Sequence, residues 1–168
     1  PQLSGDVVRG GLLYDQWWVV LNQSAPEGDH PLWATQTSNT RSGGDTWRCK
    51  ECHGWDYKGV DGAYGSGSHM TGFPGIYSAA QSMSPGELLA SLKGSTNPDH
   101  DFSAYMDDQA LTDLALFMGD TLVDMDELVN ADLTAKSDAD LGAEKYDEVC
   151  TRCHGPAGDA INFGDIEE

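Results

Sequence analysis

An all-α fold is what this chain predicts, on three observations. Apolar residues recur at helical spacing in several separate segments. Ser, Asp, Pro and Gly stand where helices start and stop. A short motif that occurs twice follows a helical segment in its second copy, with no strand-turn-helix context around either copy. From Asp6 to about Asn22, Leu13, Trp17, Val20 and Leu21 share one helical face. Gly10 and Gly11 weaken that helix unless a second helix packs closely against them. Residues from about 22 to 47 hold Pro26, Gly28, Pro31, Gly43 and Gly44 among Ser and Thr, and read as a mostly loop insert. Trp33 and Trp47 are expected to tack that insert onto the domain. The glycine-rich run Gly59 to Gly65 reads as loop. Ser84-Pro85-Gly86-Glu87 is a helix start, with a Ser cap, Pro at the first helical position and Glu at the third. Leu88, Leu89 and Leu92 follow, and Gly94 ends the helix. Asp107 or Asp108 caps the next helix, whose stripe is Leu111, Leu114, Ala115, Met118 and Leu122. Asp124 to Asp140 is acidic and suits a solvated linker, with a short helix of its own. A last helix is expected from about Ala139 to Cys150.

All four cysteines lie in two blocks, Cys49-Lys50-Glu51-Cys52-His53 and Cys150-Thr151-Arg152-Cys153-His154. Cys-x-x-Cys-His is the attachment signature of c-type haem. Paired thiols form two thioether bonds to the porphyrin, and the adjacent His supplies a proximal iron ligand. Two blocks imply two covalently bound haem c groups, with His53 and His154 proximal. A zinc site drawing on both pairs would need them far closer in sequence, at a spacing of roughly 15–20 residues. A redox dithiol would need a βαβ setting. Asp56 to Gly62 lacks the spacing and closing Glu of a calcium loop. Gly59 to Gly65 lacks the preceding strand of a phosphate loop. Trp55, Tyr57, Tyr64, Phe73 and Tyr77 are expected to wall the haem pocket.

The blocks belong to an internal repeat. Gly10-Gly11-Leu12-Leu13-Tyr14-Asp15 matches Gly142-Ala143-Glu144-Lys145-Tyr146-Asp147, and each precedes its own Cys-x-x-Cys-His-Gly. In the second copy Tyr-Asp runs almost directly into the cysteine block. In the first the insert intervenes.

Charge bounds the partners. Lys and Arg number 9 against 28 Asp and Glu, a formal net charge of −19. Nucleic-acid binding is disfavoured for want of a basic face. A redox partner with a basic docking patch would be steered toward this surface. No apolar run approaches the roughly 18 residues of a membrane span. The opening Pro1-Gln2 reads as a processed mature form.

The order helix, Cys-x-x-Cys-His, loop, short helix, loop with a distal ligand, C-terminal helix resembles the class I cytochrome c domain. The resemblance covers about 6–123. It gives a first domain over 1–123, an acidic linker over 124–138, and over 139–168 an incomplete second domain. It implies crossed terminal helices around an apolar haem crevice, with Gly10, Gly11 and Gly142 at close crossings, and a periplasmic or otherwise extracytoplasmic home. It also implies a distal ligand just before the C-terminal helix. If Met106-Asp107-Asp108 aligns with the family's helix start, His100 falls at the ligand position. It follows the turn signal Asn97-Pro98-Asp99. His100 is therefore the expected sixth ligand of haem one, with Met106 and His69 as alternatives. For haem two, the residues after His154 hold neither Met nor His. The chain is then a piece of a longer protein, or His69 or His30 reaches across, or another chain supplies the ligand and makes an oligomer. His30 otherwise reads as a loop residue. The expected function is single-electron transfer between redox partners. The alternative is a haem enzyme or cytochrome subunit, for instance in inorganic sulfur oxidation, working at an open haem two.

Overall fold

The computed structural model describes residues 3–130, 132, 134–158 and 160. The protein is all-α, and among the described residues the only β features are isolated bridges. The helices are α1 Val7–Val20, α2 Cys49–His53, α3 Tyr77–Ser82, α4 Pro85–Leu92, α5 Asp108–Asp120, α6 Ala139–Lys145 and α7 Thr151–His154. The chain divides into two units, Pro1–Val123 and Asp124–Glu168. Among the described residues no helix is long and apolar enough to cross a membrane.

In the first unit α1 packs on α5. Asp6 caps α1, its carboxylate accepting from the N–H groups of Val8 and Arg9 at 2.9 and 3.0 Å. The crossing point is Gly10. A Cβ there would lie 2.6 Å from Phe117 Cβ and would overlap the Asp113 carbonyl. Gly11 faces the Phe117 ring. Small residues at both positions are thus what lets the two backbones approach. Asp113 fastens the start of α1 to α5. Its carboxylate accepts from the Asp6 N–H at 2.9 Å, Arg9 at 2.6 Å and Gln109 at 2.8 Å. Leu13, Tyr14, Trp17, Leu111 and Leu114 are sealed in the core between the helices. Each such aliphatic side chain contributes about 1.5–3 kcal/mol on burial.

α1 departs from the straight helix that its apolar pattern predicts. Gln16 sits at φ −149° and ψ 73°, breaking the helix just before Trp17. Trp17 and Trp18, which follow the break, are both buried and meet edge to face at 5.3 Å. α4 keeps its expected ends. Ser84 and Glu87 form a reciprocal capping box. Gly94 at φ +77° closes the C-terminus, with Ser95 N–H donating to Ala90 O and Gly94 N–H to Ser91 O, the Schellman pattern. Asp107, not Asp108, caps α5. That helix stops at Asp120, so Leu122 lies outside it.

The insert carries two 3₁₀ turns, Pro31–Thr35 and Gly43–Trp47. Trp33 Nε1 donates to Arg41 O at 2.8 Å and Trp47 Nε1 to Gly28 O at 3.1 Å. Trp17 Nε1 donates to Trp47 O at 3.1 Å and ties the insert to α1. Both insert tryptophans are buried, in line with their expected anchoring role.

In the second unit a 3₁₀ turn spans Met125–Glu127, and Val129 bridges to Ala135. The expected helix into the second cysteine block is α6, capped by Asp138, followed by a π-helical turn Tyr146–Cys150. Gly142 has no neighbour within 4 Å of a built Cβ among the described residues, so no close crossing occurs at it there. Residues 161–168, part of the expected incomplete domain, lie outside the described residues.

Candidate functional site

The first cysteine block is helix α2. Its position is set from both ends. Tyr14 of α1 donates its hydroxyl to the Gly54 carbonyl at 2.7 Å. Gly54 takes φ +80°, where a side chain is strained. Glu51, between the cysteines, is 1% exposed. Its Oε2 pairs with Lys50 at 2.7 Å. Arg41 and His69 approach Oε1 at 3.0 and 3.4 Å without hydrogen-bond alignment. The sequence reading passed over Glu51. A Lys-Glu pair between two cysteines was visible, but its burial was not. Arg48, just before the block, ion-pairs with Asp15 of α1.

Cys49 and Cys52 are free thiols at the rim of a cavity of about 400 Å³. A second cavity of about 280 Å³ shares Leu32, Cys49, His53, Pro74, Asn97 and His100 with it. Together they fall inside the range of about 300–1,000 Å³ usual for small-molecule sites. The second is walled mainly by Ile76, Met83, Leu88, Leu92, Leu114 and Met118 from α3, α4 and α5. Burial pushes both thiols up to about 12. That is opposite to the lowered pKa of a nucleophilic or redox-active thiolate. Among the described residues no three His, Cys, Asp or Glu groups gather as a metal-ligand cluster.

Three imidazoles line the first cavity. His53 Nδ1 lies 2.8 Å from the Pro74 carbonyl. A carbonyl only accepts, so Nδ1 carries the proton and Nε2 keeps a free lone pair. Pro74 is held in place by the loop expected after the block, since Val60 N–H donates to Phe73 O and Gly59 bridges to Pro74. His100 ends the turn Pro98–His100. Burial lowers its pKa, and an interaction with the Ser91 backbone works against that shift. The His53 and His100 ring centroids are 6.2 Å apart, with planes at 76°. An atom midway between two imidazole nitrogens, with bonds of about 2 Å, sets ring centroids about 6.3 Å apart. The residues present therefore fit a metal held between these two rings, beside paired thiols and over an apolar cavity. Burial lowers His53 to about 4, so the ring is a neutral base at physiological pH.

His30 is the third. Its ring centroid is 6.3 Å from that of His100, the same spacing. Its hydrogen bonding is the reverse of that of His53. Leu32 N–H donates to His30 Nδ1 at 3.2 Å, so the proton of the neutral ring sits on Nε2. Burial lowers its pKa to about 4, which keeps it neutral. His30 is 7% exposed and stacks edge-on against Trp47 at 4.6 Å. It is a loop residue, as expected, that caps the 3₁₀ turn Pro31–Thr35 and also forms part of the cavity wall.

The other candidates lie elsewhere. Met106 is 2% exposed in the core and lines neither of these cavities. His69 stacks on Tyr64 at 4.7 Å and faces Glu51 and Arg41. Of the five aromatics expected at the pocket, only Phe73 lines it. Tyr57 packs on Tyr14 and Phe117, Tyr64 on His69, and Trp55 is 52% exposed beside Lys50. The aromatic wall comes instead from Trp47 and Phe102.

The second block repeats the first in hydrogen-bond detail. Tyr146 donates its hydroxyl to the Gly155 carbonyl at 2.7 Å, as Tyr14 does to Gly54. The paired residues are 40 apart in the first copy and 9 apart in the second. Gly155 takes φ +75°, like Gly54. The carbonyls of His53 and His154 accept from the N–H six residues on, at 2.8 Å from Gly59 and 2.9 Å from Ala160. Three residues past each of these glycines the chain again turns left-handed, at Tyr57 with φ 63° and at Gly158 with φ 78°. Cys150 is half-buried, while Cys153 and His154 are exposed. Comparison with protein-family models, with curated proteins and with solved structures finds no match to this chain.

Proposed function

We propose that the chain is a dihaem c-type cytochrome, with a first unit of class I cytochrome c type, moving single electrons between extracytoplasmic redox partners. Haem one is held by Cys49 and Cys52, with His53 and His100 as its axial ligands. Haem two is held by Cys150 and Cys153, with His154 proximal. The observation that carries this reading is the His53–His100 pair beside the paired thiols, its ring centroids 6.2 Å apart, the separation of two ligands on one iron, with His53 Nδ1 tied to the Pro74 carbonyl and its Nε2 free. When bound, the group supplies a one-electron couple. The protein's own residues do the rest. Each thiol adds its S–H across one vinyl group, so nothing is oxidised in the attachment. Pro74 would hold the His53 imidazole in the ligating tautomer. Leu88, Leu92, Leu114 and Met118 exclude water from the cavity, which favours the less charged reduced iron. Two imidazoles leave the first iron no open position, so this unit relays electrons and turns over no substrate.

The test is composition. The intact mass should exceed that of the polypeptide by two haems, acid–acetone should extract no colour, and pyridine should give a c-type haemochrome. A colourless or extractable preparation ends the proposal.

A second reading applies to haem two alone. Residues 124–168 contain His154 as their one histidine and Met125 as their one methionine. An open sixth position there would allow ligand or substrate chemistry, and a ligand from another chain would close it. Carbon monoxide added to the reduced protein tests this: a fast Soret shift in half of the haem marks an open iron, and no shift marks a closed one.

A further inference from the structure

We propose that His30 binds a propionate carboxylate of haem one through its Nε2–H, as a positioning residue supplied by the insert; the inference rests on the dihaem reading above. Three observations lead to it. His30 is nine-tenths buried and lines the cavity of the cysteine pair. Its Nδ1 and backbone N–H are both used, by Leu32 N–H and by Thr46 Oγ1 at 2.8 Å, and Nε2–H has no acceptor among the described residues. The tautomer that results cannot ligate iron, because Nε2 carries the proton and Nδ1 is occupied. Nε2 is not among the sealed, unpartnered atoms of the described residues, so it keeps access to open space, and an occupant of the cavity that carries an acceptor can receive its hydrogen bond. On an iron porphyrin whose four ring nitrogens hold the metal, the only remaining acceptors are the two carboxylates. Thr46, which also lines this cavity, lies beside His30 and accepts from its backbone N–H at 2.8 Å. The second cavity is apolar apart from its Ser, Thr and Asn edge. The insert therefore does more than cover the haem. It carries the donor that fixes which edge of the macrocycle faces it.

The experiment uses the full chain with its haems attached, comparing wild type with His30→Phe, His30→Leu and His30→Gln. Two readouts serve: redox potentials at pH 8 by spectroelectrochemistry, and the propionate bending bands in the resonance Raman spectrum. Removing the donor leaves a buried carboxylate uncompensated, and its field stabilises ferric iron. His30→Phe and His30→Leu should lower the potential of one redox wave and shift one propionate band. The other wave stays as internal reference, and both irons stay low-spin. His30→Gln, which retains an N–H donor, should recover most of both shifts. Unchanged potential and bands in all variants would overturn the proposal. So would a high-spin iron in His30→Phe or His30→Leu, which would make His30 a ligand. A wild-type chain that carries no haem refutes the underlying reading instead, and is recognised before any variant is compared.

Discussion

At the scale of single residues, histidines on one cavity are sorted by the partners of their ring nitrogens. The Pro74 carbonyl frees a lone pair on His53, whereas Leu32 N–H makes His30 a donor, and His100 stands 6.2 Å from His53. If the chain carries two haems as proposed, His100→Ala should convert one of them to a high-spin, carbon monoxide-binding form. Met106→Ala and His69→Ala should leave the low-spin spectrum intact, since neither side chain lines the cavities beside His53. Optical and electron paramagnetic resonance spectra of the four proteins decide it. The ring planes at 76° add a further expectation. Nearly perpendicular imidazoles give ferric iron a highly anisotropic low-spin signal, and His100→Ala should abolish that signal. The motif spacing that singled out Cys49, Cys52 and His53 and the family resemblance that singled out His100 point to residues that line one cavity. The place of His30 on that cavity was not legible, because nothing in its neighbours announces burial; the Thr46 and Leu32 contacts that bury and orient it come from the folded insert. Glu51 was hidden for the same reason, its partners Arg41 and His69 lying outside the block.

At the scale of elements, one glycine and one carboxylate join α1 to α5. Gly10→Ala places a methyl against Phe117 and the Asp113 carbonyl. It should destabilise the first unit by about 1–3 kcal/mol or more. Gly142→Ala is the contrast. It lies in α6 with open space around it, and alanine should gain about 0.5–1 kcal/mol of helix propensity. All five tryptophans are in the first unit. Tryptophan fluorescence in urea therefore reads Gly10→Ala, and hydrogen exchange of the α6 amides reads Gly142→Ala. Asp113 predicts the acid limb of stability. Burial pushes its carboxyl up, but the hydrogen bonds from the Asp6 N–H, Gln109 and Arg9 outweigh that and leave it below the usual value. A folded pKa below the unfolded one gives stability that is present at neutral pH and lost as pH falls from about 4 downward. Asp113→Asn should cost about 1–3 kcal/mol at pH 7 and flatten that acid limb, as urea midpoints taken from pH 7 to pH 3 would read. Helix ends were the best-read feature here, since Ser84, Glu87, Gly94 and Asp107 act within one turn of themselves. The break at Gln16 was not readable, because no Pro or Gly stands at that position to announce it. The pocket aromatics were misassigned for a related reason. Nearness in sequence to the cysteine block drew attention to Trp55, Tyr57, Tyr64 and Tyr77, whereas Trp47 and Phe102 reach the cavity through the tertiary fold.

At the scale of the whole molecule, the repeat and the charge are the two features the sequence displays most openly. The repeat survives a large insertion because what it encodes is local: a tyrosine hydroxyl on a left-handed glycine, and a carbonyl closing the loop after the histidine. These bonds set the block whether 9 or 40 residues separate the partners. What the insert builds could not be read, since its value lies in one wall of a cavity rather than in any motif. The charge of −19 has a consequence for rate rather than for fold. A basic redox partner is drawn in by the long-range field before any contact forms. Raising ionic strength from 0.01 to 0.15 M shortens the screening length from about 30 to about 8 Å. The bimolecular rate with a basic redox protein should then fall about tenfold or more. With an anionic inorganic oxidant the sign reverses, because the same salt relieves repulsion. Stopped-flow rates against ionic strength with both reagents therefore give slopes of opposite sign if the surface charge governs encounter. Two slopes of the same sign would mean that docking depends on a local patch whose charge differs from that of the whole.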